Sequence, residues 1–342
     1  MKLISFAIPS YNSQDYLSHC VDTLLSGGED VEILIINDGS KDNTAAIADE
    51  YAAKYPTIVR AIHKENGGHG SGVNRGREEA TGLYYKVVDS DDWVGEEALK
   101  TLLDTIRKHM AENRLPDLYI TNYVYEHVYD NTQFVRSWGR QFPVNSFCTW
   151  ADAGNFYGPQ VLLMHSLMYK TELLRKSGTI LPEHTFYVDN YYAYKPLPLM
   201  QTIFYLDVNL YHYFIGRDDQ SVNIRNFVKR YDQQLRVMRY MVDAYSYAEI
   251  DKMEKPLKKY MLHCLSAIMM NTMMFCCSGG SEPERIAAHE ELWQHIRNND
   301  PKLYDHLAHR AMPAMLKWMP WKMRGKCMLV GYKLLCRFVK LG

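Results

Sequence analysis

The sequence predicts an α/β protein in which a mostly parallel sheet is flanked by helices and followed by a helical C-terminal region. Three observations carry this prediction. Short, continuously apolar runs alternate with helix-periodic segments over about the first 125 residues. Polar loops rich in Asn, Asp, Ser and Gly follow several of those runs. Beyond about Arg217 the apolar spacing becomes helical throughout.

Leu3–Ile8 is a short apolar run and reads as the first strand. Asp15–Leu25 places Tyr16, Leu17, Cys20, Val21, Leu24 and Leu25 at helical spacing. Val31–Ile36 is a second strand, Asp42–Tyr55 an Ala-rich helix and Ile58–Ile62 a third strand. Gly72–Ala80 reads as a helix, Leu83–Val88 as a strand, Glu96–Met110 as a helix and Leu118–Tyr125 as a strand. Unbroken apolar strands alternating with helices imply a sheet covered on both faces. Ligands of such sheets bind beyond the carboxyl ends of the strands. Pro9–Asn12, Asn37–Ser40 and Asp89–Asp92 all fall at such ends, so three loops converge on one edge. From about Trp138 to Asp207 the pattern is irregular and aromatic-rich. Asn226–Tyr247, Asp251–Cys277 and Pro283–Asn298 read as helices. A soft boundary near residue 215 divides a first domain, 1–215, from a helical region, 216–342.

Of the 342 residues, 47% are apolar, and the net charge of −1 gives no global field for nucleic acid. The seven cysteines show no CxxC or Cys/His ligand spacing, so neither a zinc site nor a disulfide framework is implied, and a reducing cytoplasm suits them. The first strand begins at the N-terminus, so no signal peptide is expected. No uninterrupted apolar run reaches the ~18 residues of a membrane span. The nearest, Met261–Cys277, is expected to be a buried helix.

Asp89, Asp91 and Asp92 place three carboxylates in four positions, with no Lys or Arg among them. Like charges so close are stable mainly when a divalent cation sits on them. Asn66–Gly76 carries five glycines, a Gly-rich loop that runs into the helix predicted from Gly72. Such a loop can bring backbone N–H groups to phosphate, although it lacks Walker and dinucleotide spacing. A plain flexible loop is the alternative.

Four segments in this order carry a resemblance: Ser5–Asn12, Ile36–Thr44, Asn66–Gly76 and Asp89–Trp93. Over about the first 215 residues the chain resembles the inverting family-2 glycosyltransferases of the GT-A fold. The resemblance implies a nucleotide-diphospho-sugar donor, commonly UDP-linked, with Mn²⁺ or Mg²⁺. It places Pro9 and Tyr11 at the donor, with Tyr11 against the base. Asp38 would accept the base N–H, although Asn37 departs from the more usual acid and the Asp38–Ser40 turn also reads as a helix cap. Asn74 and Arg75 border the donor, Asp89 faces the ribose, and Asp91 and Asp92 hold the metal. The family's base lies at a helix start, and Asp189 matches it, with Val188 where a first acid is usual. A helix cap is the alternative for Asp189, and Glu183 is the runner-up base. His165 falls between donor and acceptor segments or is an interior histidine. Arg217 pairs with the diphosphate or with a surface acid, and His212 is a further candidate metal ligand.

The function expected is metal-dependent, inverting transfer of a sugar to a hydroxyl of a glycan or lipid-linked acceptor, in surface polysaccharide synthesis. Alternatives are a donor-binding scaffold without activity and a sugar-nucleotide pyrophosphorylase; Pro9–Asn12 disfavours the latter, which needs a Gly-rich loop there. From His306 onward there are eight Lys or Arg and no Asp or Glu. Basic residues interleaved with Trp318, Trp321 and Phe338 predict a tail on an anionic membrane surface, and so a cytoplasmic enzyme peripheral to the inner face of the membrane. A terminal helix docked on its own domain is the other reading.

Overall fold

The computed structural model describes residues 1–127, 132–215 and 228–339, with side chains to residue 331. The chain divides into two compact units, 1–154 with 162–215, and 155–161 with 216–342.

The first unit is built on one sheet. Its strands are β1 (Ile4–Ser10), β2 (Val31–Asp38), β3 (Val59–Lys64), β4 (Tyr84–Val87), β5 (Trp93–Val94), β6 (Leu118–His127), β7 (Gln133–Arg136), β8 (Ser146–Cys148), β9 (Leu167–Lys170) and β10 (Ile203–Ile215). The order along the sheet is β3-β2-β1-β4-β9-β6-β10-β5, with β7 beside β6 and β8 beside β10. β3, β2, β1 and β4 run parallel, as do β6 and β10. The short β9 joins the two groups antiparallel to both. Every residue of β1 and β2 is buried, as their unbroken apolar runs require of strands covered on both faces.

Helices α1 (Leu17–Leu25), α2 (Thr44–Lys54), α3 (His69–Glu79) and α4 (Glu96–Ala111) connect these strands. α4 buries Leu99, Leu102, Leu103 and Ile106, one stripe at 3.6-residue spacing. Its Glu96 and Glu97 at the start, and Lys108 and His109 at the end, complement the helix dipole. The stretch from 138 to 207, irregular in sequence, contains β8, β9, two short helices, α5 (Thr171–Lys176) and α6 (Asp189–Tyr194), and the start of β10. β10 escapes a pattern search for a physical reason. Its register against β6 shifts between Leu206 and Asn209 and again between Asn209 and Tyr211, which breaks the two-residue alternation.

The second unit is helical. Its longest helix, Lys255–Ser278, contains the expected buried segment, and 72% of its most apolar window is inside the protein. By length and composition alone it would also cross a membrane. The helix Trp321–Val339 packs on it so closely that a Cβ on Gly325 would lie 2.7 Å from Cys277 O. Trp321 Nε1 donates to Gly280 O at 2.7 Å, and the guanidinium of Arg324 is turned inward onto the carbonyls of Lys317 and Met319. Part of the basic, aromatic tail is therefore docked on its own unit.

Candidate active site

The carboxyl ends of β1, β2 and β4 bring the three polar loops together. Ser13 Oγ and Ser90 Oγ lie 2.7 Å apart, joining the loop after β1 to the acidic loop after β4. In that acidic loop Asp92 N–H donates to Asp89 O at 3.0 Å, and this turn carries the two side chains into one group.

Asp92 is 1% exposed. Its carboxylate accepts from Tyr211 Oη at 2.5 Å and from Phe214 N–H at 2.9 Å, both on β10. Burial, then the charges of Asp91 and Asp89, push this carboxyl well above the ordinary range despite those two bonds. Asp89 Oδ1 lies 2.7 Å from His69 Nε2 at the start of α3. Burial works against the Asp89 charge, but the charge and hydrogen bond of His69 outweigh it and hold Asp89 below the usual value. His69 in turn is raised: burial opposes its proton, and Asp89, Asp189 and Asp91 more than offset that.

His165, in the short 3-10 turn Met164–Ser166, is buried among Tyr211, Tyr213 and Tyr123, with ring centroids 4.6, 4.6 and 5.5 Å away. Burial lowers it to about 4, so the ring is neutral. Its Nδ1 is buried without a hydrogen-bond partner. One ligand atom from each of Asp89, Asp92 and His165 falls within 4.8 Å of the others. Two carboxylates and a neutral imidazole with an unused nitrogen suit a divalent cation such as Mn²⁺. Of the expected metal ligands, Asp92 is in this group. Asp91, half-buried beside it, is not, and Asp89 and His165 stand in its place.

Beneath the group, the Lys86 ammonium is fully buried and donates to His165 O at 2.7 Å. Burial brings it down to about 7.

Asp189 opens α6 and is half-buried. Burial raises its carboxyl to about 6, with His69 lowering and Asp89 raising it, so the candidate base lies within reach of the acidic group's charges. The segment leading to it is held in an unusual backbone: His184 and Tyr187 have φ of 46° and 65°. Glu183 is exposed and accepts from Ser71 Oγ at 3.0 Å.

Asp38, expected to accept the base N–H, has its carboxylate turned to the Gly-rich loop. Its carboxylate accepts from Lys64 Nζ at 2.7 Å, Gly67 N–H at 2.9 Å, Gly68 N–H at 2.7 Å and Asn66 Nδ2 at 3.1 Å. Four donors fill the four acceptor positions of a carboxylate. The Gly-rich loop thus does cradle an anion, but Asp38 is that anion. Asn74 is likewise committed: its Nδ2 donates to Leu181 O at 2.8 Å, and its Oδ1 accepts from Leu181 N–H at 2.9 Å. Arg75 pairs with Glu79 at 2.7 Å on the surface of α3. The glycines of α3 allow close packing: a Cβ on Gly72 would lie 2.9 Å from Pro9 Cβ, and one on Gly70 would lie 2.9 Å from Pro182 O. Pro9 is buried under α3.

Tyr11 is half-exposed and lines an open cleft of about 660 Å³ with Gly39, Lys41, His63, Lys64, Glu65 and Asn66. His212 is paired with Glu126, Nδ1 to Oε1 2.6 Å, and stacks on Trp93. Arg217 lies outside the described residues. Sequence reasoning missed His69, Tyr211 and Lys86. Only His69 had a local signal, as the one ionisable side chain between Gly67 and Gly72.

Residues 5–170 match the family model described as "Glycosyl transferase family 2". The putative glycosyltransferase EpsH of Bacillus subtilis is 26% identical over 68% of this chain and 64% of its own length. Glycosyltransferase GlyA of Streptococcus pneumoniae is 27% identical over 64% of this chain, and the match spans 31% of that protein. The chain thus covers less than two thirds of the length of these relatives. Among solved structures, S. aureus TarS 1-349 in complex with UDP-GlcNAc superposes with a TM-score of 0.66 at 19% identity, over 98% of this chain and 92% of that one. The mannosyltransferase PcManGT from Pyrobaculum calidifontis, in complex with GDP-Man and Mn²⁺, gives 0.51 at 13% identity, over 97% and 86%. Both likenesses are of fold. With the matched family model and this architecture together, residues 5–170 form a family-2 glycosyltransferase domain, and the chain has the GT-A fold.

Proposed function

We propose that the protein is a metal-dependent, inverting glycosyltransferase that moves a sugar from a nucleotide-diphospho-sugar, UDP-linked, to a hydroxyl of a glycan or lipid-linked acceptor in surface polysaccharide synthesis. The observation that carries this is the group of Asp89, Asp92 and His165, whose ligand atoms lie within 4.8 Å of one another at the acidic strand end, together with Asp189 at the start of α6, a carboxyl raised by burial to about 6. A base of that strength is ionised at neutral pH and still takes a proton well. Asp189 accepts the acceptor's hydroxyl proton as that oxygen bonds to the anomeric carbon and the bond from that carbon to the diphosphate oxygen breaks. Attack opposite the leaving group inverts the centre through an oxocarbenium-like state. Asp89, Asp92 and His165, with Asp91 adjoining, would hold a divalent cation, Mn²⁺ or Mg²⁺, which would supply counter-charge for the departing diphosphate. The cleft beside Tyr11 takes the base and ribose, and Arg217 is assigned to the diphosphate. TarS with UDP-GlcNAc supports a UDP-linked donor, and the neighbour with GDP-Man and Mn²⁺ supports a metal.

The test is release of nucleotide from a panel of UDP-, GDP- and dTDP-sugars with Mn²⁺, for wild type, Asp92→Asn and Asp189→Asn. Wild type is expected to turn over a UDP-sugar and both variants to lose at least about 100-fold in rate. Binding without turnover would leave a donor-binding scaffold, and pyrophosphate release from a sugar phosphate and a nucleoside triphosphate would indicate a pyrophosphorylase. Retention of full rate by Asp189→Asn would move the base elsewhere.

We further place the enzyme at the inner face of the membrane, through its C-terminal region. Met315, Trp318, Met323 and Val330 are exposed there, beside the exposed Lys322 and Lys326, in a stretch with no carboxylate. Met323, Cys327 and Val330 recur at helical spacing and are exposed, on a different side of the helix from the buried Arg324 and Met328. An apolar stripe flanked by lysines suits an anionic lipid surface.

A further inference from the structure

Helix α3 is fastened along its length to the chain that leads into Asp189. At its far end, Arg175 donates to the carbonyls of Arg77, Glu78 and Ala80 at 2.9, 3.1 and 2.7 Å, and Arg77 donates to Thr179 O. In the middle, Asn74 holds both the N–H and the C=O of Leu181. Nearer its start, Ser71 holds Glu183, Gly70 lies against Pro182 O, and His184 N–H donates to Gly67 O at 2.7 Å. These contacts form a seam from 175 to 184, five residues short of Asp189. The other side of α3 carries His69, bonded to Asp89. One helix therefore bears on both carboxylates of the reaction centre.

Asn74 is the part of the seam most specific in chemistry. An amide is the one short side chain that offers a donor and an acceptor in a plane, as a neighbouring strand would. It gives Leu181 a strand-like pair of hydrogen bonds where no strand runs. Its position in the Gly-rich segment suggested a donor contact, but with both ends bound to Leu181 the amide faces the base-bearing segment.

We propose that Asn74 is a positioning residue for the catalytic base, fixing Leu181–Val188 on α3 and with it the start of α6, where Asp189 stands. The proposal rests on Asp189 being the base. Without the clamp, the two left-handed residues His184 and Tyr187 can relax, and Asp189 loses both its place and its shelter from water.

The test compares wild type with Asn74→Ala and the milder Ser71→Ala, with two readouts. The first, hydrogen exchange of the peptide 181–189, needs no turnover: exchange there is expected to quicken at least about 10-fold in Asn74→Ala, and less in Ser71→Ala, while β1 and β2 stay protected. The second is UDP-sugar turnover with Mn²⁺. We expect kcat to fall about 10- to 100-fold with donor KM within about 2-fold. The acid limb of the kcat profile should also move to lower pH as Asp189 becomes solvated, which a general loss of stability would not produce. Unchanged exchange in 181–189 would overturn the clamp. A raised donor KM at unchanged kcat would return Asn74 to the donor pocket. If Asn74→Ala does not fold, Ser71→Ala decides on the same readouts. A wild type that turns over no nucleotide sugar would instead overturn the proposed reaction, and the exchange result would still stand for or against the clamp.

Discussion

Asp38 Oδ2 accepts a 2.7 Å hydrogen bond from the Gly68 N–H, placing an internal carboxylate at the start of α3. Three further donors surround that carboxylate, one of them the Lys64 ammonium. Asp38→Ala leaves these donors without their acceptor. It is expected to cost about 2–4 kcal/mol of stability, read from urea denaturation. A residue that served only to recognise the base would alter donor affinity and leave the urea midpoint in place.

Asp189 has a pH signature in stability as well as rate. Its folded value of about 6 exceeds the ordinary 3.8, so between those values the folded chain keeps a proton that the unfolded chain has lost. Stability therefore falls as pH rises through that window. Asp189→Asn removes the effect. The variant should match wild type below about pH 4 and exceed it above pH 6 by about 1–2 kcal/mol, partial exposure reducing the full conversion. Calorimetric scans across pH 4–8 give the answer, and a variant less stable than wild type at pH 8 contradicts it.

Tyr211 holds Asp92 from β10 without joining the candidate metal group itself. Tyr211→Phe should weaken Mn²⁺ binding about 10- to 100-fold, measured by calorimetric titration, while circular dichroism stays that of wild type. Equal affinity in the two proteins would separate Asp92 from the metal.

Lys86 gives the opposite pH slope. Its folded value of about 7 lies below the ordinary 10.5, so across that interval the unfolded chain binds a proton that the folded chain lacks. Stability rises with pH there. Lys86→Met should flatten the rise between pH 7 and 10 in urea melts, and an unchanged slope would show that another group is responsible.

The exposed apolar face of the C-terminal helices predicts sedimentation with vesicles containing phosphatidylglycerol and none with neutral vesicles. Trp318→Glu combined with Met323→Glu should abolish it, with the urea midpoint unchanged. Failure of wild type to sediment would rule out the membrane reading.

The strands and helices before residue 125 were legible because burial on both faces forces unbroken apolar runs, which survive in a single sequence. The acidic cluster was legible too, since Asp89, Asp91 and Asp92 stand together at a strand end. What connects these parts was not. Asn74 and Leu181 are far apart in the chain, and an amide that will clamp a backbone looks the same as one that will touch a nucleotide. His165 joined Asp89 and Asp92 only once β6, β9 and β10 were in place around it. β10 was hidden because bulges remove the alternation by which a strand is recognised.

α3 meets a carboxylate from β2 at its first turn and a guanidinium from α5 at its last, each matching the sign of the helix dipole there. Within it, Gly70, Gly72 and Gly76 cost about 3 kcal/mol of intrinsic helicity. Its helical state is therefore supplied by partners distant in sequence. Folding should reach α3 late, after β2 and the segment from 171 to 184 have assembled, and a peptide of residues 66–80 should be a coil in water. The segment that orders the reaction centre is then among the last to take shape, which links completion of folding to the appearance of activity.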